Sequence, residues 1–320
     1  MKDYLIQIVS QQPNDFMKQS ISREYLQARI LEALQDRGVF LKWAFVGGTA
    51  LRFLYGMPRY SEDLDFSLIV PERDHAFAPL LQKVSSAFEA EGYSNDIRIR
   101  DKGAVKSAFI KFRGLLFELG IAPREAQILS VRVEVDTNPP DGAITTTSVI
   151  RKFVTLNLLH YDRPSLLAGK LHAVLSRAYT KGRDLFDLVW YLTDRNWPEP
   201  NFTFLNNALT QTRWPGPKLT AANWRRVVMK RMGDIPWERA VKDVSPFLER
   251  SQDVNLLTLE NVRKLLLDPP KSRRGHPLKG PCQEEKLILC EKIYFLAKLQ
   301  CWDTSISTFA EISFGFRLQL

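Results

Sequence analysis

Apolar positions recur at helical spacing over residues 22–37. Leu26, Ile30, Ala33 and Leu34 would share one face, with Ser22 as N-cap and Gly38 as the stop. LKWAFV (41–46) is a short unbroken apolar run and predicts a buried strand. Gly47-Gly48-Thr49 interrupts it, ALRFLY reads as a short helix, and the turn GMPRYSE leads to a second strand, DLDFSLIV (63–70). Pro71 would open a long helix ending near Gly92. Residues 104–119 predict one or two strands. At the end of 128–136 the alternation is strict, with Val131, Val133 and Val135 on one face and Arg132, Glu134 and Asp136 on the other. NPPDG then breaks the chain.

From here the pattern turns helical. One helix starts at Ser165 and runs to about Tyr179. KGRD connects it to a second over 184–194, stopped before Pro198, and residues 200–267 continue in helices. DPPKSRRGHPLKGP (268–281) reads as a basic linker, and 284–299 as one more helical stretch. No internal repeat is visible. The order predicts an α+β fold, a small mixed β-sheet core followed by a helical C-terminal half. The expected divisions are a core over 1–160, a helical domain over 161–267, and a linker with a C-terminal extension of unassigned role over 268–320.

Composition narrows the chemistry. The chain has 320 residues, 45% hydrophobic and 25% charged, as expected of a globular protein. No apolar run is long enough to span a bilayer and the N-terminus does not resemble a secretory signal, so a cytoplasmic location without membrane contact is expected. Cys282, Cys290 and Cys301 form no CxxC pair, and the four histidines are scattered. A His/Cys metal site is therefore not expected, and any metal should be a hard cation on oxygen ligands. The net charge of +9 favours a polyanionic partner such as nucleic acid.

Asp63-Leu64-Asp65 is the first candidate site. On a strand, i and i+2 share a face, so both carboxylates would stand side by side while Leu64 and Phe66 enter the core. Such a pair repels itself unless a cation neutralises it. Mg²⁺, which takes carboxylate, phosphate and water oxygens, fits that demand. Gly47-Gly48-Thr49 complements it. Glycine permits close backbone approach, and the helix that follows offers N–H groups and a positive dipole end to phosphate. The Thr49 hydroxyl could add a hydrogen bond.

FVGGTALRFLYGMPRYSEDLDFSL resembles the AbiEii/AbiGii toxin nucleotidyltransferases, whose hallmark is GGTxL followed by RxSxDLDF. The family lies in the polymerase-β-like nucleotidyltransferase superfamily. A later family motif, a lysine-bearing helix followed by RDxxDL, is matched by LLAGKLHAVLSRAYTKGRDLFDL, residues 166–188. The resemblance covers roughly residues 20–200. It implies that Asp63 and Asp65 bind Mg²⁺ or Mn²⁺ at a nucleoside triphosphate, and that a third carboxylate on a neighbouring strand activates the acceptor hydroxyl: Glu134 first, since the family carries this acid mid-strand, with Asp136 close behind. Lys170 would contact the triphosphate, with Arg177 on the same helix face. Asp184 would orient Lys170, meet the nucleotide or cap its helix, with Asp187 beside it. Arg59 and Ser61 would brace the DxD loop, with Ser61 near phosphate. The resemblance further implies a tRNA 3′ end or other RNA as acceptor, growth arrest as outcome, and a cognate antitoxin as partner. A small-molecule or protein acceptor, and a non-catalytic nucleotide or RNA binder, are the competing readings. Trp224, Arg225, Arg226, Lys230 and Arg231 suggest a phosphate-backbone patch or, equally, a solvated face with Trp224 in the core.

Overall fold

Alternating strands bury one face and leave the other for chemistry, and the chain builds its site from that asymmetry. A computed structural model of the chain describes residues 2–70, 76–194 and 196–267. Pro71, the cysteines, the linker and the C-terminal extension lie outside the described residues. In chain order come α1 (Lys2–Ser10), α2 (Asp15–Gln35), β1 (Trp43–Val46), α3 (Gly47–Tyr55), β2 (Asp63–Leu68), α4 (Phe77–Ala90), β3 (Asn95–Arg100), β4 (Val105–Phe112), α5 (Leu115–Glu118), β5 (Leu129–Asp136), β6 (Thr145–Lys152) and β7 (Val154–Tyr161). Then follow α6 (Arg163–Ser176), α7 (Gly182–Thr193), α8 (Phe202–Gln211), α9 (Trp224–Met232), α10 (Trp237–Val244) and α11 (Leu259–Leu267).

The seven strands form one mixed sheet in the order β3-β4-β5-β2-β1-β7-β6. β2 and β5 pair in parallel, as do β1 and β7, and the other neighbours are antiparallel. This is the α+β architecture, with a helical C-terminal half, that the hydrophobic pattern predicts. On one sheet face Leu64 and Phe66 of β2, Phe45 of β1, and Val131, Val133 and Val135 of β5 pack with α1, α2 and α4 into a first core. A second core gathers Ala44, Leu51 and Tyr161 with α6 to α11. The helical half thus covers the β1–β7 side of the opposite face. The polar positions of β2 and β5 border the helical half's edge.

Several boundaries differ from the pattern. The first long helix begins at Asp15, because Asn14 accepts the Met17 N–H at 2.9 Å and supplies the N-cap. Ser22 is instead buried in the helix interior, its hydroxyl donating to the Lys18 carbonyl at 2.7 Å. The 104–119 stretch is one strand followed by the short α5, turned by Gly114. Three strands, β3, β6 and β7, are not singled out by the pattern. β6 is an edge strand exposed along most of its length, so burial writes little periodicity into it. In the helical half, α6 stops at Ser176, so Arg177 follows the helix in an extended conformation instead of lying within it.

Candidate active site

Register does most of the assembly. Asp65 lies opposite Val46 on one side and Glu134 on the other, while Asp63 is opposite Arg132 and Asp136 is opposite Ser67. Aligned residues of adjacent strands share a face. Asp63, Asp65, Glu134 and Asp136 therefore stand together on the face turned away from the first core. Glu134 is beside Asp65, and Asp136 lies one step further along. Glu134 also pairs with Arg132, 2.5 Å away on its own strand.

Val46 opposite Asp65 puts Gly47 directly above that carboxylate. Gly47 has φ +78°, and a Cβ there would come within 3.0 Å of Asp65 Cβ and Cγ. Both the backbone conformation and the space require glycine. Gly48 is constrained differently: a Cβ would sit 2.6 Å from Arg59 Nη2 and 3.0 Å from Ser61 Oγ. The Arg59–Ser61 loop thus folds over the start of α3. Thr49 is fully buried and its hydroxyl donates to the Asp63 carbonyl, locking α3 to the head of β2. Gln27 adds a bond to the Ser61 carbonyl at 3.0 Å.

Behind this loop lies a buried ionic chain. Arg59 grips Asp187 through both oxygens, at 2.6 and 2.7 Å. Lys170 reaches Asp187 at 2.7 Å and Asp184 at 3.1 Å, and Arg177 closes on the other Asp184 oxygen. Asp184 is spent on these partners and does not cap α7; Asp243 takes the Gly182 N–H at 2.7 Å. Burial alone would raise Asp187, but Arg59 and Lys170 outweigh it and hold its carboxyl below the usual range. Burial would likewise lower Lys170, and Asp187 and Asp184 outweigh it and raise the ammonium.

A cleft of about 520 Å³ opens between sheet and helical half. Gly47, Gly48, Asp65, Asp136, Lys170, Arg177 and Asp184 border it. Asp63 and Glu134 adjoin Asp65 on the sheet face, outside the cleft's lining, while Thr49, Arg59, Ser61 and Asp187 form its frame. Arg132, Lys181 and Arg183 act electrostatically on Asp63 and were not singled out from the sequence. Arg132 carried a signal in its place in the alternation two residues before Glu134, and Arg183 in being the arginine of the RDxxDL motif, with Lys181 two residues before it. In α9, Trp224 is buried in the second core, Arg225 pairs with Glu199 at 2.5 Å, and Arg231 donates to the Arg177 carbonyl at 2.8 Å. Three of the five patch residues thus serve the fold.

The four acids of the sheet face shift the same way, opposite to Asp187. Burial, then Asp63 and Glu134, push Asp65 up to about 7, against the weaker pull of Lys170 and Arg132. Burial also raises Asp63, Glu134 and Asp136. This oxygen-rich, self-repelling set suits a hard divalent cation. Among the described residues, no three acidic, histidine or cysteine side chains already converge as a ligand cluster. Asp63 and Asp65 would need phosphate oxygens to complete a shell.

A stability prediction follows from the sign of the Asp65 shift. A carboxyl raised from 3.8 to about 7 stabilises the fold at pH 4, and that contribution is lost as pH rises through 7. In EDTA, Asp65→Asn should melt close to the wild type at pH 4 and clearly above it at pH 8, by on the order of 2 kcal/mol after solvent screening. Calorimetry at both pH values checks this. An equal offset at both would show that the charge on Asp65 is not costly.

The geometry can be set beside known proteins. The family model described as "Nucleotidyl transferase AbiEii toxin, Type IV TA system" matches residues 29–266. JHP933 from Helicobacter pylori, known from a crystal structure, is 20% identical with a TM-score of 0.45, over 88% of this chain and 98% of that one. A second H. pylori crystal structure, described as a candidate nucleotidyltransferase, is 19% identical with a TM-score of 0.49, over 81% of this chain and 99% of that one. No curated protein matches. Among the described residues, no helix is long and apolar enough to cross a membrane.

Proposed function

Since this chain belongs to the AbiEii nucleotidyl transferase toxin family and is a nucleotidyltransferase, we propose that it moves a nucleoside monophosphate from a metal-bound NTP onto an RNA hydroxyl, with a tRNA 3′ end as the acceptor. The cell context is the cytoplasm, and the partner is the antitoxin of a type IV toxin–antitoxin pair. The observation that carries the reading is the in-register meeting of Asp65, Glu134 and Gly47, which joins an acidic cluster to a backbone that a phosphate can approach.

Asp63 and Asp65 would hold Mg²⁺ or Mn²⁺, with Glu134 beside them. The cation supplies charge neutralisation at the triphosphate. The Gly47–Gly48 turn leaves room for phosphate against the start of α3. Glu134, raised by burial, accepts the proton of the attacking hydroxyl. The new bond runs from that oxygen to the α-phosphorus, and the bond to the bridging oxygen breaks, releasing pyrophosphate. Asp136, opposite Ser67, is one register step from Asp65, which favours Glu134 as the third carboxylate. Lys170 and Arg177 place positive charge at the helical wall of the cleft. Lys170 is already shared between two acids, so its position is set before any nucleotide arrives.

The test is transfer of label from each α-labelled NTP, with total RNA, protein and small-molecule acceptors offered separately. The expected result is label at RNA 3′ ends, abolished by EDTA. Label in protein or in a small molecule would overturn the acceptor, and no label in any fraction would overturn the reading.

A further inference from the structure

Tyr191 takes no part in the chemistry above; its ring packs in the second core, but packing does not account for its hydroxyl. It sits on α7, one turn after Asp187, and is 1% exposed. Its ring is pinned edge-on by Trp197, with centroids 4.6 Å apart, and by Trp190 at 5.4 Å. Trp197 is itself held by Tyr55 at 5.2 Å, and Arg163 lies 5.1 Å over both rings. The aromatic body is therefore fixed. The hydroxyl at its end is buried and, among the described residues, has no hydrogen-bond partner.

A buried donor left unpaired is unfavourable, and phenylalanine would fill the same space without that cost. The same residue borders the cleft, together with Gly47, Gly48 and Lys170. Two of its electrostatic neighbours are Asp187 and Arg59. Arg59 is also the side chain that overlies Gly48, so Tyr191 and Gly48 are linked through one guanidinium as well as through the cleft they border. Burial and the nearby Asp187 keep the phenol protonated, so it is available as a donor. A rigid, protonated, unpaired donor on a residue that borders the same cleft as Gly47, Gly48 and Lys170 lacks one thing, an acceptor.

We propose that the Tyr191 hydroxyl donates a hydrogen bond to a phosphate oxygen of the bound triphosphate, which makes Tyr191 a nucleotide-binding residue. The inference rests on the nucleotidyltransferase reading and deepens it. Tyr191→Phe separates binding from folding, because it keeps the ring and removes only the unpaired oxygen.

The experiment is calorimetric titration of the full chain, wild type and Tyr191→Phe, with Mg²⁺ and each NTP, and separately with inorganic tripolyphosphate. Steady-state transfer and thermal melts accompany it. Expected are about tenfold weaker binding of NTP and of tripolyphosphate, a KM raised in proportion, kcat within about twofold, and a melting temperature unchanged or higher. Equal affinity of the two proteins would overturn the inference. So would weakened NTP binding with tripolyphosphate unaffected, which would place the contact on base or sugar. A lowered melting temperature would also overturn it, since the hydroxyl would then be held by the fold. A wild type that binds neither ligand would instead bring down the underlying reading, and this inference with it.

Discussion

Asp65→Asn is expected to leave a folded protein whose nucleotide transfer is reduced by about three orders of magnitude or more. The substitution removes a charge that a divalent cation needs beside a triphosphate, an effect of several kcal/mol at about 1.4 kcal/mol per tenfold in rate. It also relieves repulsion, because Asp63 and Glu134 both act against the Asp65 charge. Activity and metal-free stability should therefore move in opposite directions. Transfer assays with saturating NTP, paired with melts in EDTA, measure both. A variant that transfers at the wild-type rate would remove Asp65 from the chemistry. One that fails to fold would show the carboxylate to be structural.

Asp187→Asn should do the reverse at the level of folding. Asp187 is 0% exposed and answers two buried cations, Arg59 and Lys170. Deleting its charge strands them. Breaking a buried pair by removing one partner costs about 3–5 kcal/mol, because the remaining charge is left uncompensated. Lys170 keeps Asp184, but Arg59 loses its bidentate partner, and with it the anchor of the loop that covers Gly48. Urea unfolding should report the loss as a lower midpoint with an unchanged slope. An unaltered midpoint would show that Arg59 finds an equivalent partner elsewhere. The two aspartates thus separate by sign: Asp65 faces Asp63 and Glu134, the environment the proposed metal site uses, whereas Asp187 is bound by the cations Arg59 and Lys170.

That division explains what could be read in the sequence. DLDF and GGT were legible because each feature depends on local spacing. The i, i+2 rule places Asp63 and Asp65 on one face, and a strand-to-helix turn puts the glycines at a helix start. Glu134 and Asp136 were legible as a pair, with Glu134 put first only by its mid-strand place in the resemblance; a physical ground for ranking them needs the β2–β5 register, a contact some seventy residues apart in the chain. The helix carrying Lys170 was legible from its apolar stripe. Its true end at Ser176 was not, and neither was the partnership of Arg59 with Asp187, a tertiary contact across 128 positions. Thr49 offered a hydroxyl that sequence reasoning turned towards phosphate; in the folded chain it faces the Asp63 carbonyl. Tyr191 carried no signal at all: one aromatic among several on a buried helix, set apart only by what its oxygen fails to touch.

The central claim is that the carboxylates of β2 hold a divalent cation against a nucleotide at the Gly47–Gly48 turn. Calorimetric titration of NTP into the wild type, with Mg²⁺ and then with EDTA, addresses it most directly, with the Asp63→Asn/Asp65→Asn double variant alongside. The account predicts saturable binding that requires Mg²⁺ in the wild type and is lost in the double variant. Binding of equal strength without the cation, or undiminished in the double variant, would contradict it.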